Sequence, residues 1–272
     1  MTDPARCAYA SLAPYYDRFT ADYVYDSWLE QIEARALALG LGGRRAFDIA
    51  CGTGKSFAPL LTRGYQVSAC DLSSEMLDEA RRKFAGQVED LFVADMRELP
   101  PVGEFDLVTC IDDAVNYLLS QDELVATFTG VAQVLAPDGI FAFDVNSLKT
   151  YRTTFTQTIL REDPGGLFCW HGEATAVEPG DAASATIEAF IEVEDAVWRR
   201  VSSRHVQCHH PPGAIHDALA DAGLECAAVA GQRPGCLLED HVDENEHIKV
   251  VYFARRRRTA EGGELNMQII SG

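Results

Sequence analysis

Three carboxylates and one glycine loop are the residues of this sequence best suited to holding a ligand. The stretch "FDIACGTGKS", Phe47 to Ser56, ends in the Gly-Lys-Ser of a phosphate-binding loop. Such a loop also needs a glycine separated by four residues from its Gly-Lys-Ser, so that backbone N–H groups wrap the phosphates, and that position holds Ile49. The dinucleotide pattern Gly-x-Gly-x-x-Gly fails too, because Gly52 and Gly54 are followed by Phe57 where the last glycine belongs. Asp48, just ahead of the loop, repels a pyrophosphate and attracts a cation. Asp71 ends a second apolar run, where a carboxylate can accept from two ribose hydroxyls at once. Asp95 and the N–H of Met96 suit the exocyclic amine and a ring nitrogen of adenine, with Leu72 and Met76 to pack on its faces. Any one of these acids reads equally well as a residue between a strand and a helix. Three in register with a glycine loop describe a site for a nucleoside that carries positive charge.

The elements that must position them alternate. Trp28, Leu29, Ile32, Ala36 and Leu39 recur at helical spacing and stop at Gly40. "RAFDIA", "YQVSACD", "LFVAD", "FDLVTCI" and "IFAFDV" read as five buried strands. Between them lie helices through Phe57, Leu60 and Leu61, through Met76, Leu77, Ala80 and Phe84, and through Leu124, Phe128, Val131 and Leu135. The last of these opens with a capping box, Ser120 and Glu123. Such alternation predicts a mainly parallel sheet covered on both faces, with ligands at the carboxyl ends of its strands. The pattern changes after Tyr151. "LFCWHGEAT", "SATIEAFIEV" and "VWRRVSSRHVQCH" read as three antiparallel strands of an insertion. A helix through Ile215, Leu219 and Ala222 and the strands "LECAAVAG" and "IKVVYFA" return the chain to the sheet, and the tail from residue 257 to 272 shows no period.

With 272 residues and a net charge of −19, the chain suits one domain with an insertion and opposes a nucleic-acid backbone or an anionic membrane surface. The basic run Arg255 to Arg258 reads as a solvated strand end rather than a binding patch. The eight cysteines form no Cys-x-x-Cys pair and sit in apolar segments, which fits buried thiols in a reducing cytoplasm. Neither a leader nor a bilayer-spanning apolar run is visible. His205 and His209 are too far apart on a strand, about 13 Å, to share a zinc ion, and no metal site is expected. A homo-oligomer is left open.

"DIACGTG", "CDLSSEML", "ADMRELP" and "FDLVTC", in this order and spacing, resemble the class I S-adenosylmethionine-dependent methyltransferases. The resemblance spans residues 9 to 256. It departs from the commonest first motif in having Ala50-Cys51 before Gly52, a small-residue change. It implies an α/β fold: a Rossmann-like seven-stranded, mainly parallel sheet with an N-terminal helical lid (1–40) and an antiparallel β cap (151–209). The cofactor-binding core then occupies 41–150 and resumes at 210–256, ahead of a flexible tail at 257–272. The implied cofactor is S-adenosyl-L-methionine, leaving as S-adenosyl-L-homocysteine. Asp48 is expected near its ammonium, Gly52 against the methionine part, Asp71 on the ribose and Asp95 on the adenine amine. Tyr16, Trp28, Ala50, Leu72, Met76, Met96 and Ile111 complete the expected cofactor set.

The N-terminal "YASLAPYYDRFTADYVYDSW", with "CIDDAVNYLL" and "FDVNS", further resembles small-molecule N-methyltransferases of aminosugar and lincosamide antibiotic pathways. In that reading Tyr9, Tyr16, Asn116, Tyr117, Asn146, Trp170 and His205 meet a small-molecule acceptor, and Tyr16, Tyr117, Asp113 and His205 serve catalysis. Tyrosine rings can box a sulfonium and a cationic acceptor while excluding water. An amine only has to lose a proton before attack, whereas a hydroxyl needs a positioned base. Asp113, Asp144 and His205 are the candidates for such a base, and Asp112 is expected to serve the cofactor pocket. Nitrogen methylation is the first reading, with O-methylation of a hydroxylated natural product and a silent cofactor-binding module as its alternatives.

Overall fold

The computed structural model describes residues 4–257. The expected flexible tail therefore lies, beyond Arg257, outside the described residues. Three helices open the chain: α1 (Pro4–Ala10), α2 (Tyr16–Phe19) and α3 (Tyr25–Ala38). In α3, Trp28, Leu29, Ile32 and Ala36 form the buried stripe read from the sequence. Gly40 follows at φ +105°, and the Leu41 N–H turns back onto the Ala36 carbonyl to close the helix end.

Strands and helices then alternate: β1 (Arg45–Ile49), α4 (Ala58–Thr62), β2 (Gln66–Asp71), α5 (Ser74–Phe84) and β3 (Leu91–Val93). β4 (Phe105–Cys110), α6 (Gln121–Val134) and β5 (Leu135–Asn146) continue the series. Side-chain oxygens start two of the helices, Ser73 taking the Met76 N–H for α5 and Ser120 the Glu123 N–H for α6. The five strands pair in parallel in the order β3-β2-β1-β4-β5. The chain winds outward in both directions from β1 and β4, which opens a crevice at their carboxyl ends.

After the helix α7 (Leu148–Thr153) the chain builds a second sheet from β6 (Thr158–Asp163), β7 (Gly166–Gly172), β8 (Ala182–Glu194) and β9 (Val197–Cys208). All its pairs are antiparallel, as expected, but it has four strands where the sequence suggested three. β6 lies on the edge with most of its residues exposed, so it carries no alternating apolar pattern to betray it. The helix α8 (Pro212–Asp221) leads back to the first sheet through β10 (Leu224–Arg233), β11 (Leu237–Glu239) and β12 (Lys249–Arg256). The main sheet accordingly has eight strands, the expected seven plus the three-residue edge strand β11.

β12 runs antiparallel to β5 and places its first residue, Lys249, opposite Asn146 at the carboxyl edge of the parallel strands. Apolar layers cover both faces of the main sheet. Phe128, Phe141, Phe143 and Tyr252 stack under α6 and α8, while Trp28, Leu29, Phe57 and Leu77 fill the space under α3, α4 and α5. Each fully buried aromatic of this kind contributes about 1.5–3 kcal/mol, and together they hold the strand ends in register.

Candidate active site

The crevice is a cavity between the strand ends and the N-terminal helices. Gly52, Asp71, Leu72, Met76, Asp95 and Met96 form one side, Ile111, Asp112 and Tyr117 another, and Tyr9, Tyr16 and Tyr25 close it from α1, α2 and α3. Ala50, Asp112 and Asp113 have left-handed backbones, with φ of +56°, +68° and +55°. This is costly for residues with a Cβ and concentrates where β1 and β4 deliver their loops to the cavity.

Asp71 is held by backbone amides. Its Oδ2 accepts from the Gly52 N–H at 2.8 Å and its Oδ1 from the Ser73 N–H at 2.8 Å. Burial raises its pKa, and these amides oppose the rise by favouring the carboxylate. Asp95 caps the short turn after β3 by accepting from the Arg97 N–H, and the Arg97 guanidinium grips both its oxygens. Asp112 accepts from the Tyr25 hydroxyl at 2.7 Å and from the Tyr16 hydroxyl at 3.5 Å.

Behind these groups lies an ionic cluster. The Lys249 ammonium is 2.5 Å from Asp113, 2.9 Å from Asp144 and 3.2 Å from Asp112, and 5.5 Å from the centre of the Trp28 ring. Asp144 also accepts from the backbone N–H groups of Asp112 and Asp113, at 2.6 and 2.9 Å, which fixes the left-handed turn. Burial pushes the Asp144 carboxyl up to about 6 despite the opposing lysine. Burial alone would lower the Lys249 pKa, but the three carboxylates outweigh it and hold the ammonium well above its ordinary value.

Four matches say what such a crevice belongs to. Residues 46–139 match the model of a methyltransferase domain. YqeM of Bacillus subtilis, a chain named as a methyltransferase, is 35% identical over 229 residues, covering 81% of this chain and 88% of its own. The chain belongs to the S-adenosylmethionine-dependent methyltransferases. The structure of such a methyltransferase from Clostridium acetobutylicum superposes with a TM-score of 0.77 at 25% identity, over 91% of this chain and 98% of that one. CalS10, an amino pentose methyltransferase from Micromonospora echinaspora solved with its cofactor, shares the fold at 22% identity and a TM-score of 0.70, over 90% and 97% of the two chains.

The cavity of this methyltransferase fits its cofactor. A Cβ on Gly52 would meet no protein atom within 4 Å, and it would enter the cavity itself from a backbone at φ +54°. Asp71 faces the same space as a ready acceptor for a diol, and Leu72, Met76, Met96 and Ile111 offer apolar faces to a flat base. Lys55, the lysine of the apparent phosphate loop, lines the cavity with its ammonium already engaged. Its ammonium is bonded to the carbonyl and hydroxyl of Thr20, at 2.6 and 2.9 Å, and so latches the N-terminal segment onto the glycine loop. Asp17 adds a second latch by accepting from Thr53 at 2.5 Å and Lys83 at 2.7 Å.

Of the residues named from the sequence, Tyr9, Tyr16, Ala50, Gly52, Asp71, Leu72, Met76, Asp95, Met96, Ile111, Asp112 and Tyr117 line the cavity, and eight others do not, Asp144 in the ionic cluster being one. Asp48 is buried behind the loop, its oxygens taken by the Ser56 and Thr109 hydroxyls, and burial lifts its pKa to about 7. Trp28 packs under Lys249. Asp113 is spent on Lys249 and on the Gln207 amide at 2.6 Å. Asn116 and Asn146 bond each other and reach Cys208 and Gln207, which pins β9 to the main sheet. Trp170 donates to the Thr154 carbonyl. His205 sits one layer back. Its Nδ1 is 2.7 Å from the Tyr117 hydroxyl, which is 2.8 Å from the Tyr9 hydroxyl, and its Nε2 is 3.0 Å from Ser203 Oγ. Burial holds the imidazole down to about 4, so it is neutral at physiological pH. Sequence reasoning missed Tyr25, Lys55 and Lys249 as parts of the site. A lysine heading the apolar run "KVVYFA" was the one available signal.

Proposed function

We propose that the methyltransferase transfers a methyl group to the nitrogen of a small amine-bearing metabolite. The observation that carries this is the cavity lining, where Tyr9, Tyr16, Tyr25 and Tyr117 share the space with the Asp112 carboxylate, which accepts from Tyr16 and Tyr25. Aromatic faces and a carboxylate favour a cationic amine. The ionisable groups best able to act as a base are engaged elsewhere: Asp113 and Asp144 with Lys249, and neutral His205 behind Tyr117.

In this reading Asp71 and the Gly52 backbone hold the cofactor, which supplies an electrophilic methyl group when bound. Burial keeps the Tyr9, Tyr16 and Tyr117 hydroxyls protonated, with pKa values raised above the ordinary range. With His205 Nδ1 as acceptor, Tyr117 donates to it and Tyr9 donates to Tyr117, which leaves a lone pair of the Tyr9 oxygen to orient an amine N–H. Residues 1–40 act as a lid, 41–150 and 210–256 as the cofactor-binding core, and 151–209 as the cap that closes the acceptor end. CalS10, named for an amino pentose, has the same fold and supports an amine acceptor.

The test is a mass-spectrometric screen of amines and phenols with S-adenosylmethionine, followed by rate profiles on two acceptors of different basicity. A midpoint that follows each acceptor's own pKa supports nitrogen methylation without a protein base. A midpoint fixed across both, and abolished in His205→Ala, would transfer the assignment to a hydroxyl acceptor.

A further inference from the structure

Outside the cavity lining, at the edge strand of the main sheet, Glu239, His241 and His247 bring one ligand atom each to within 4.8 Å of one another. Glu239 ends β11, and the two histidines lie in the loop that leads from it to β12. Glu239 Oε2 is 3.0 Å from His247 Nε2 and 3.8 Å from His241 Nε2. Donors about 2.0–2.2 Å from a tetrahedral ion stand about 3.3 Å apart, so two edges of this triangle are already close to that size.

The buried member is held in place. The His247 ring lies against Gly231, where an added Cβ would come within 2.5 Å of it, so only glycine leaves the ring its place. Its Nδ1 is 3.0 Å from the Asp243 N–H and 3.1 Å from the Asp243 carbonyl oxygen. Without an ion, Nδ1 accepts from that N–H and Nε2 donates to Glu239. With the proton on Nδ1, donated to the Asp243 carbonyl, the Nε2 lone pair faces Glu239 and His241. A backbone carbonyl orienting a ligating imidazole in this way is usual for metal-bound histidine. The exchange relocates one proton on the ring and changes no net charge. The side chain of His241 is 64% exposed, which gives an ion an entry path and leaves further coordination positions to water. Arg233 takes the other oxygen of Glu239 at 2.9 Å and leaves Oε2 to the histidines.

We propose that Glu239, His241 and His247 bind a divalent transition-metal ion of the zinc class. Two imidazoles and one carboxylate select zinc, cobalt or nickel over magnesium or calcium, which prefer all-oxygen sites. The ion clamps the β11–β12 loop. That loop already carries the His247 carbonyl, which accepts from Ser147 Oγ at 2.5 Å, and the Glu244 carbonyl, which accepts from the Lys149 N–H at 2.8 Å. It therefore fixes the start of β12 beside the carboxyl end of β5, and the role of the ion is structural.

The experiment uses the full chain stripped with a chelator and titrated calorimetrically with zinc chloride, with magnesium chloride as control. Cobalt is added separately to read its visible absorption. The expected result is one equivalent of zinc bound, a rise in Tm, cobalt bands of low-coordinate N/O ligation, and no magnesium binding. His241→Ala, at an exposed position, should leave the metal-free Tm and the cofactor affinity unchanged and weaken zinc at least tenfold. Glu239→Gln serves as a second variant with the same expected loss. Absence of stoichiometric zinc binding, or binding undiminished in both variants, overturns the site.

Discussion

Replacing Lys249 by methionine removes the ammonium that pairs with Asp112, Asp113 and Asp144 while keeping an unbranched apolar stem. The three carboxylates and the lysine sum to a charge of −2 when all are ionised, and the variant leaves −3. Breaking a buried ion pair by deleting one partner costs about 3–5 kcal/mol, because the other is left desolvated and uncompensated. At roughly 2–4 °C per kcal/mol for a chain approaching this length, Tm should fall by about 6–20 °C. The loss must also depend on pH. Asp144 is raised to about 6 in the folded protein and Asp113 is raised as well, burial being the first cause for both. A carboxyl raised on folding contributes stability that is fully present below its unfolded pKa and is lost as pH rises through the folded one. Lys249 opposes that rise, so its removal carries both pKa values higher and extends the loss toward neutral pH. Calorimetric unfolding of wild type and Lys249→Met should show a wide gap at pH 8 and a narrower one at pH 5, where the carboxyls can take up protons. A gap below about 1 kcal/mol at pH 8, or an equal gap at both values, would refute the assignment of Lys249 as the counter-ion of the cluster.

Asp71→Ala should weaken S-adenosylmethionine binding by about 1.5–3 kcal/mol, the worth of a charge-assisted hydrogen bond; unchanged calorimetric affinity in a folded variant would dismiss the ribose role. His205→Ala should lower kcat with little change in cofactor affinity, because His205 contacts the Tyr117 hydroxyl and lies outside the cavity lining. His205 should also leave a mark on stability: its folded pKa of about 4 is depressed by burial, so its contribution is present above the unfolded value and is lost as pH falls through about 4. That loss should be absent from acid titrations of His205→Ala. Gly172→Ala should destabilise the cap by roughly 1–3 kcal/mol or more, because its Cβ would stand 2.2 Å from the Phe155 carbonyl carbon; a thermal midpoint indistinguishable from wild type would count against the close packing there.

Most of the main sheet was legible because its signals are local. The Ser120 cap, the Gly40 stop and the apolar runs of β1, β2, β4 and β5 each sit within a few residues of what they specify. β6 and β11 escaped, one for want of an alternating face and the other for its length of three residues. The site was legible only in part. Asp48 and Asp71 look alike in sequence, each near the end of an apolar run, yet Asp71 receives the Gly52 amide beside the cavity while Asp48 is closed off by Ser56 and Thr109. The partners that divert Asp113, Asn116, Asn146 and His205 come from segments distant in the chain, Gln207 and Lys249 among them. No periodicity carries such pairings, since they depend on how β12 and the second sheet meet the parallel strands.

The antiparallel entry of β12 has a consequence for how the protein is made. Asp112, Asp113 and Asp144 leave the ribosome long before Lys249, which heads the strand that completes the pairing of β5. Domains tend to fold as units during synthesis, but a nascent chain that stops short of residue 249 holds three carboxylates with nothing to neutralise them. The glycine loop and all five parallel strands precede Lys249 in the chain, so the counter-ion of the cluster behind the cavity arrives after them. The charge balance behind the cavity is thus completed only once β12 has been translated, so chains truncated ahead of it carry the cluster without its ammonium.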